Sequence, residues 1–171
     1  TSEKERSIAF IKLAIADLIP DDNILVTCFS GQLIPETVSH SLRVCLIASL
    51  SHRTKAAAGE LGQSEKEASR LVQQREEDCT AWITQIFNQS DPWDANLYDI
   101  VIPADKMTAA EAAAIIVDNA AKDVVKPNET SRQILADFRL AARAGVALIR
   151  EGHNVDVSAM NGNVTLTINK H

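Results

Sequence analysis

Three short, continuous apolar runs constrain this chain most: residues 24–29 (Ile-Leu-Val-Thr-Cys-Phe), 42–48 and 98–102. An unbroken run of that length between turn residues is the pattern of a strand buried on both faces, and such strands belong to parallel sheets covered by helices. The intervening segments read as helices. Ile8, Ile11, Ile15 and Leu18 recur at helical spacing before Pro20, which predicts an amphipathic helix over residues 3–18. Residues 51–59 read as a short helix. Ser64 and Glu67 form a capping box, hydroxyl and carboxylate each satisfying an orphan backbone N–H of the other. The long helix it opens carries Ala68, Leu71, Val72, Cys79, Trp82, Ile83, Ile86 and Phe87 as its stripe and stops near Ser90-Asp91-Pro92. Thr108 and Glu111 make a second capping box for a helix reaching Ala121.

Beyond a linker at Lys126-Pro127-Asn128, residues 131–150 carry Ile134, Leu135, Phe138, Ala142, Val146 and Ile149 on one side, with Gly152 as the C-cap. The period then changes to two. Val155, Val157 and Ala159 alternate with polar residues, Asn161-Gly162 is a hairpin turn signal, and Val164, Leu166 and Ile168 alternate again. The expected fold class is α/β: a small three-layer parallel sheet of three strands over residues 1–125, then an α-β-β hairpin unit over residues 126–171.

Composition narrows the function classes. Hydrophobic residues make up 46% of the chain but aromatics only 4%, so the core is built from Ala, Ile, Leu and Val. The 17 basic residues are scattered among 23 acids, for a net charge of -6, which argues against a nucleic-acid face. Cys28, Cys45 and Cys79 are odd in number and have no CxxC or Cys/His spacing, so free thiols and a reducing, cytoplasmic setting are expected. No apolar run has the length of a membrane span. His40, His52, His153 and His171 are well separated, and neither a metal nor a cofactor is expected.

Few motifs carry chemistry. The phosphate cradle GxxxxGK[ST] does not occur in these 171 residues. Ser30-Gly31 after the first apolar run offers backbone N–H groups to an anion, although a single glycine there is also an ordinary turn. Glu76-Glu77-Asp78 lies mid-helix with its members pointing in different directions, as on a solvated face. Trp93, in Asp91-Pro92-Trp93-Asp94, reads as a loop anchor or as a partner-binding aromatic.

Taken together, the runs at 24–29 and 42–48, Ser51-His52-Arg53, the stretch from Leu61-Gly62-Gln63-Ser64 to Ala68, Tyr98-Asp99-Ile100-Val101-Ile102 and Thr108-Ala109-Ala110-Glu111-Ala112 resemble the cytidylate-kinase-like family. The resemblance implies a P-loop nucleoside monophosphate kinase scaffold, with a cradle upstream of everything matched here and a lid arginine on the long helix. This sequence departs from that pattern: Thr27-Cys28-Phe29-Ser30-Gly31 stands at the strand-end Gly-Arg pair, and Glu77-Asp78-Cys79-Thr80 at the Asp and Arg of the lid. Arg53 alone matches a family arginine. One guanidinium does not supply the charge neutralisation that phosphoryl transfer demands. Residues 131–169 resemble part of a BON-type module, through Val155-Asp156-Val157 and Asn161-Gly162-Asn163-Val164-Thr165-Leu166, which implies binding to membranes or other proteins.

The resulting expectation is a non-catalytic, kinase-like regulatory or protein-interaction domain. One alternative is the carboxyl-terminal part of a kinase whose P-loop lies upstream of Thr1; another is a small-anion or nucleotide sensor using Ser30, Gly31 and Arg53. A homodimer is expected, because a parallel sheet without the family's P-loop strand leaves an edge to cover.

Overall fold

The computed structural model describes residues 3–20, 23–27, 29–153 and 155–168. In chain order the elements are α1 (Glu3–Leu18), a 3-10 turn (Phe29–Leu33), β1 (Val44–Ile47), α2 (Leu50–Leu61), α3 (Glu65–Phe87), β2 (Ile100–Pro103), α4 (Ala109–Ala120), α5 (Glu129–Arg150), β3 (Asp156–Met160) and β4 (Asn163–Thr167). Further 3-10 turns lie at Ala95–Leu97 and Asp123–Val125. They form a mixed α/β chain of two compact units, one from Thr1–His40 with Lys126–His171 and one from Ser41–Val125.

In the first unit α1 packs on α5, burying Ile15 and Ala16 from one helix and Leu135 and Val146 from the other. The Phe10 ring receives the guanidinium of Arg6 at 5.9 Å and that of Arg150 at 5.6 Å, so its π-face holds two cations at the helix pair's rim. Asn128 belongs to the helix end rather than to a linker. Its side-chain oxygen accepts from Ser131 N–H at 2.8 Å while Ser131 Oγ accepts from Asn128 N–H at 3.0 Å, and α5 therefore starts at Glu129. Gly152 takes a φ of +84° just past the end of α5, the conformation that suits glycine best. The hairpin turns at Asn161 (φ +50°) and Gly162 (φ +77°), both left-handed as a type I′ turn demands, and pairs Val157 with Leu166 and Ala159 with Val164.

One buried side chain fixes that hairpin to its helix. Asp137 on α5 is 7% exposed, and its carboxylate accepts the N–H groups of Asn161 at 2.7 Å and Gly162 at 2.8 Å, with Gln133 Nε2 donating at 3.2 Å. Those bonds to the ionised form, led by Gly162, hold its pKa below the usual 3.8 against the opposing effect of burial.

In the second unit both expected capping boxes are formed. Ser64 with Glu67 opens α3 and Thr108 with Glu111 opens α4, each hydroxyl contributing ~1 kcal/mol to its helix. Ser49 caps α2, which runs to Leu61 and ends at Gly62 with φ +63°. The α3 stripe is as expected, with Ala68 and Ile83 buried and Trp82 meeting Phe87 edge to face at 6.0 Å. β1 and β2 run parallel in register from Val44–Ile100 to Ile47–Pro103.

Two expectations about the sheet need correction. Residues 24–27 form no strand, Leu25 is 84% exposed, and Phe29 begins a 3-10 turn; Cys28 lies outside the described residues. The physical reason is pairing: β1 and β2 satisfy each other in one unit, while this run belongs to the other unit, and an apolar run without a ladder partner gains no strand hydrogen bonds. The parallel sheet therefore has two strands rather than three. Without a third strand β1 is not enclosed, and Leu46 is 57% and Ile47 40% exposed.

Candidate functional site

In open α/β sheets ligands bind at the carboxyl ends of the strands. At that edge of β1 and β2 the chain turns from Ile47 into the N-cap of α2, and Ala104 N–H donates to Ile47 O at 2.7 Å to hold the two exits together. Ser49 N–H and Arg53, one turn into α2, are the donors an anion would use there. Both are already engaged. Ser49 N–H donates to Asp105 Oδ2 at 3.1 Å, and that bond is the first cause holding the Asp105 pKa below 3.8. Arg53 Nε donates to Ala48 O at 2.9 Å, and its Nη1 forms an ion pair with Glu76 of α3.

Next to this edge lies an open cleft lined by Glu76, Glu77 and Thr80 of α3 and by Trp93. The α3 side of the cleft thus carries two carboxylates, Glu76 and Glu77. Trp93 is half-buried, and its N–H donates to Asp91 Oδ1 at 2.9 Å. The loop is fixed further by Pro92, which is fully buried, and by Tyr98, whose hydroxyl donates to Pro92 O at 2.6 Å. Beneath it sits Cys45, buried, whose pKa is raised chiefly by desolvation. Cys79, on α3, is half-buried.

Ser30 and Gly31 fall in the other unit, inside the 3-10 turn. Gly31 has no positive φ, and a Cβ there would lie 3.8 Å from Val26 Cγ1, an ordinary contact, so neither conformation nor space demands glycine. The sequence candidates thus divide into Arg53 and Trp93 in one unit and Ser30 and Gly31 in the other. Asp105 and Glu76 were not singled out as site residues. Glu76 carries no signal beyond its acidic triplet, and Asp105 is tied to Ser49 across 56 residues, a pairing that no local spacing reveals.

Among the described residues no group of three or more His, Cys, Asp or Glu is placed to hold a metal ion; His171 lies outside them. No helix among them is long and apolar enough to cross a membrane.

No curated protein and no solved structure matches the chain. The family model described as "Cytidylate kinase-like family" matches residues 2–106, more than half of the 171 residues and a stretch that holds α1, β1, α2, α3, β2 and the Arg53 edge. With the parallel strands, the capped long helix and that arginine in the matched stretch, the chain belongs to the cytidylate kinase-like family.

Proposed function

We propose that this chain is a non-catalytic member of its family, used as a regulatory or protein-interaction domain. The observation that carries this reading is the self-satisfied strand edge: the Ser49 N–H and the Arg53 guanidinium are answered by Asp105, Ala48 O and Glu76. A phosphate would have to displace two carboxylates to reach those donors, beside a cleft that Glu77 makes more negative still. No GxxxxGK[ST] cradle in the 171 residues offsets that repulsion.

Interaction is supported by the incomplete sheet. Parallel strands are stable with both faces covered, yet Leu46 and Ile47 of β1 and Ile115 and Val117 of α4 remain exposed. A second copy of the chain, related by a twofold axis, is the cover we favour. Trp93 offers an aromatic contact at the neighbouring cleft. We read the α5-β3-β4 unit, a hairpin packed on its helix, as a BON-type element.

Purified chain supplied with ATP, magnesium and each nucleoside monophosphate should transfer no phosphoryl group above the blank. A rate well above the blank for any of them overturns the reading.

A further inference from the structure

Asn161 is the one asparagine in the sequence that glycine follows. In an unhindered chain that pair is chemically labile. Gly162 has no side chain to block the approach, so its backbone nitrogen, once its proton is lost to solvent, can attack Asn161 Cγ. The new N–C bond closes a five-membered succinimide while the Cγ–Nδ2 bond breaks, and Nδ2 leaves as ammonia, carrying a proton equivalent to the one lost from Gly162. Water then adds to either carbonyl of the ring. Opening at Cγ leaves an aspartate; opening at the main-chain carbonyl leaves an isoaspartate, whose backbone runs through the side chain.

The fold opposes the first step. Attack requires the Asn161–Gly162 peptide plane to turn until Gly162 N faces Asn161 Cγ. That plane is held at both ends: its N–H donates to Asp137 Oδ1 at 2.8 Å, and its carbonyl, Asn161 O, accepts from Asn163 Nδ2 at 3.3 Å. The preceding plane is held as well, because Asn161 N–H donates to Asp137 Oδ2 at 2.7 Å. Asn161 is thereby fixed at φ +50°. Asp137 is also an electrostatic brake. Its carboxylate is ionised at neutral pH, and an amide beside a negative charge gives up its proton less readily. Asn161 and Gly162 are themselves exposed, so water reaches the turn and the protection is conformational and electrostatic.

We propose that Asn161-Gly162 is a latent deamidation site, silent while Asp137 holds the turn on α5 and converted once the hairpin leaves the helix. Conversion is one-way. It sets a second carboxylate beside that of Asp137, which is only 7% exposed. An isoaspartate also adds a main-chain carbon to a two-residue turn whose register pairs Met160 with Asn163, and the turn has no place for it. A hairpin that has been displaced from α5 is therefore marked permanently.

The test follows the full chain, its Asp137→Ala variant and a synthetic peptide of residues 156–167 at neutral pH and physiological temperature. Conversion is read by mass spectrometry of the fragment holding the turn and by the ammonia released. The wild-type rate is the peptide rate scaled by the fraction of hairpins open, and with two hydrogen bonds to a carboxylate to break it should be slower on the order of a hundredfold. D137A should approach the peptide's rate while thermal melting still shows the folded helices. Where D137A does not fold, Asp137→Asn, which keeps the shape and one acceptor oxygen but not the charge, should convert at an intermediate rate. An inert peptide overturns the site, and wild-type conversion as fast as the peptide's overturns the silencing. A folded variant no faster than the wild type overturns Asp137 as its cause. A converted chain whose Gly162 amide stays protected from exchange overturns the one-way release.

Discussion

Leu46 and Ile102 are register partners in the parallel sheet, yet Ile102 is 1% exposed and Leu46 57%. Truncating each to alanine therefore separates an enclosed strand from an open one. Ile102→Ala removes three carbons from a closed site. At ~0.8 kcal/mol per buried methylene plus the cavity left behind, the loss is about 3–4 kcal/mol. Leu46→Ala removes as many carbons, but less than half of their surface is out of water and no closed cavity remains, so the loss is about 1 kcal/mol. Urea melts at low micromolar protein measure both. If chain copies associate over this face, the L46A penalty should grow as protein concentration is raised, because association is linked to folding, while the I102A penalty should not. An L46A penalty as large as that of I102A in dilute solution would refute the reasoning, since it would mean that β1 is enclosed within the monomer.

Two further outcomes follow from the local geometry. Asp137 has its folded pKa held below 3.8, so its contribution to stability is present above that value and is lost as pH falls through the lower folded pKa. Protection of the Asn161 and Gly162 amides, taken relative to their intrinsic exchange rates, should fall over that acid range in the wild type, and Asp137→Asn should remove this pH dependence of the protection. Ser64→Ala should destabilise the second unit by ~1 kcal/mol through loss of the α3 cap, measured by thermal melting; an unchanged melt would show that the cap is redundant.

The local grammar of the chain was readable from its residues. Ser64 with Glu67, Thr108 with Glu111, and Asn161-Gly162 each satisfy backbone groups within a few residues, so pattern and structure coincide there. The run at 24–29 was not readable in the same way, because apolar content states a preference for burial and not the partner strand that a ladder requires. Long-range pairings were equally hidden. Asp17 meets Arg139 across 122 residues, and Asp137 holds the hairpin turn from a position that looks like one more helix-surface acid. The candidate site was legible in part for the same reason: Arg53 could be marked by resemblance, but its engagement with Glu76 exists only once α2 and α3 have packed.

Association over the open β1–β2 layer is the claim on which the interaction reading stands, and the mass of the chain in solution tests it most directly. Light scattering across micromolar concentrations should give a mass near twice 18.6 kDa for the wild type, and Leu46→Glu, which sets a charge on the exposed strand, should return it to that of one chain. A wild-type mass of 18.6 kDa at every concentration would contradict the account.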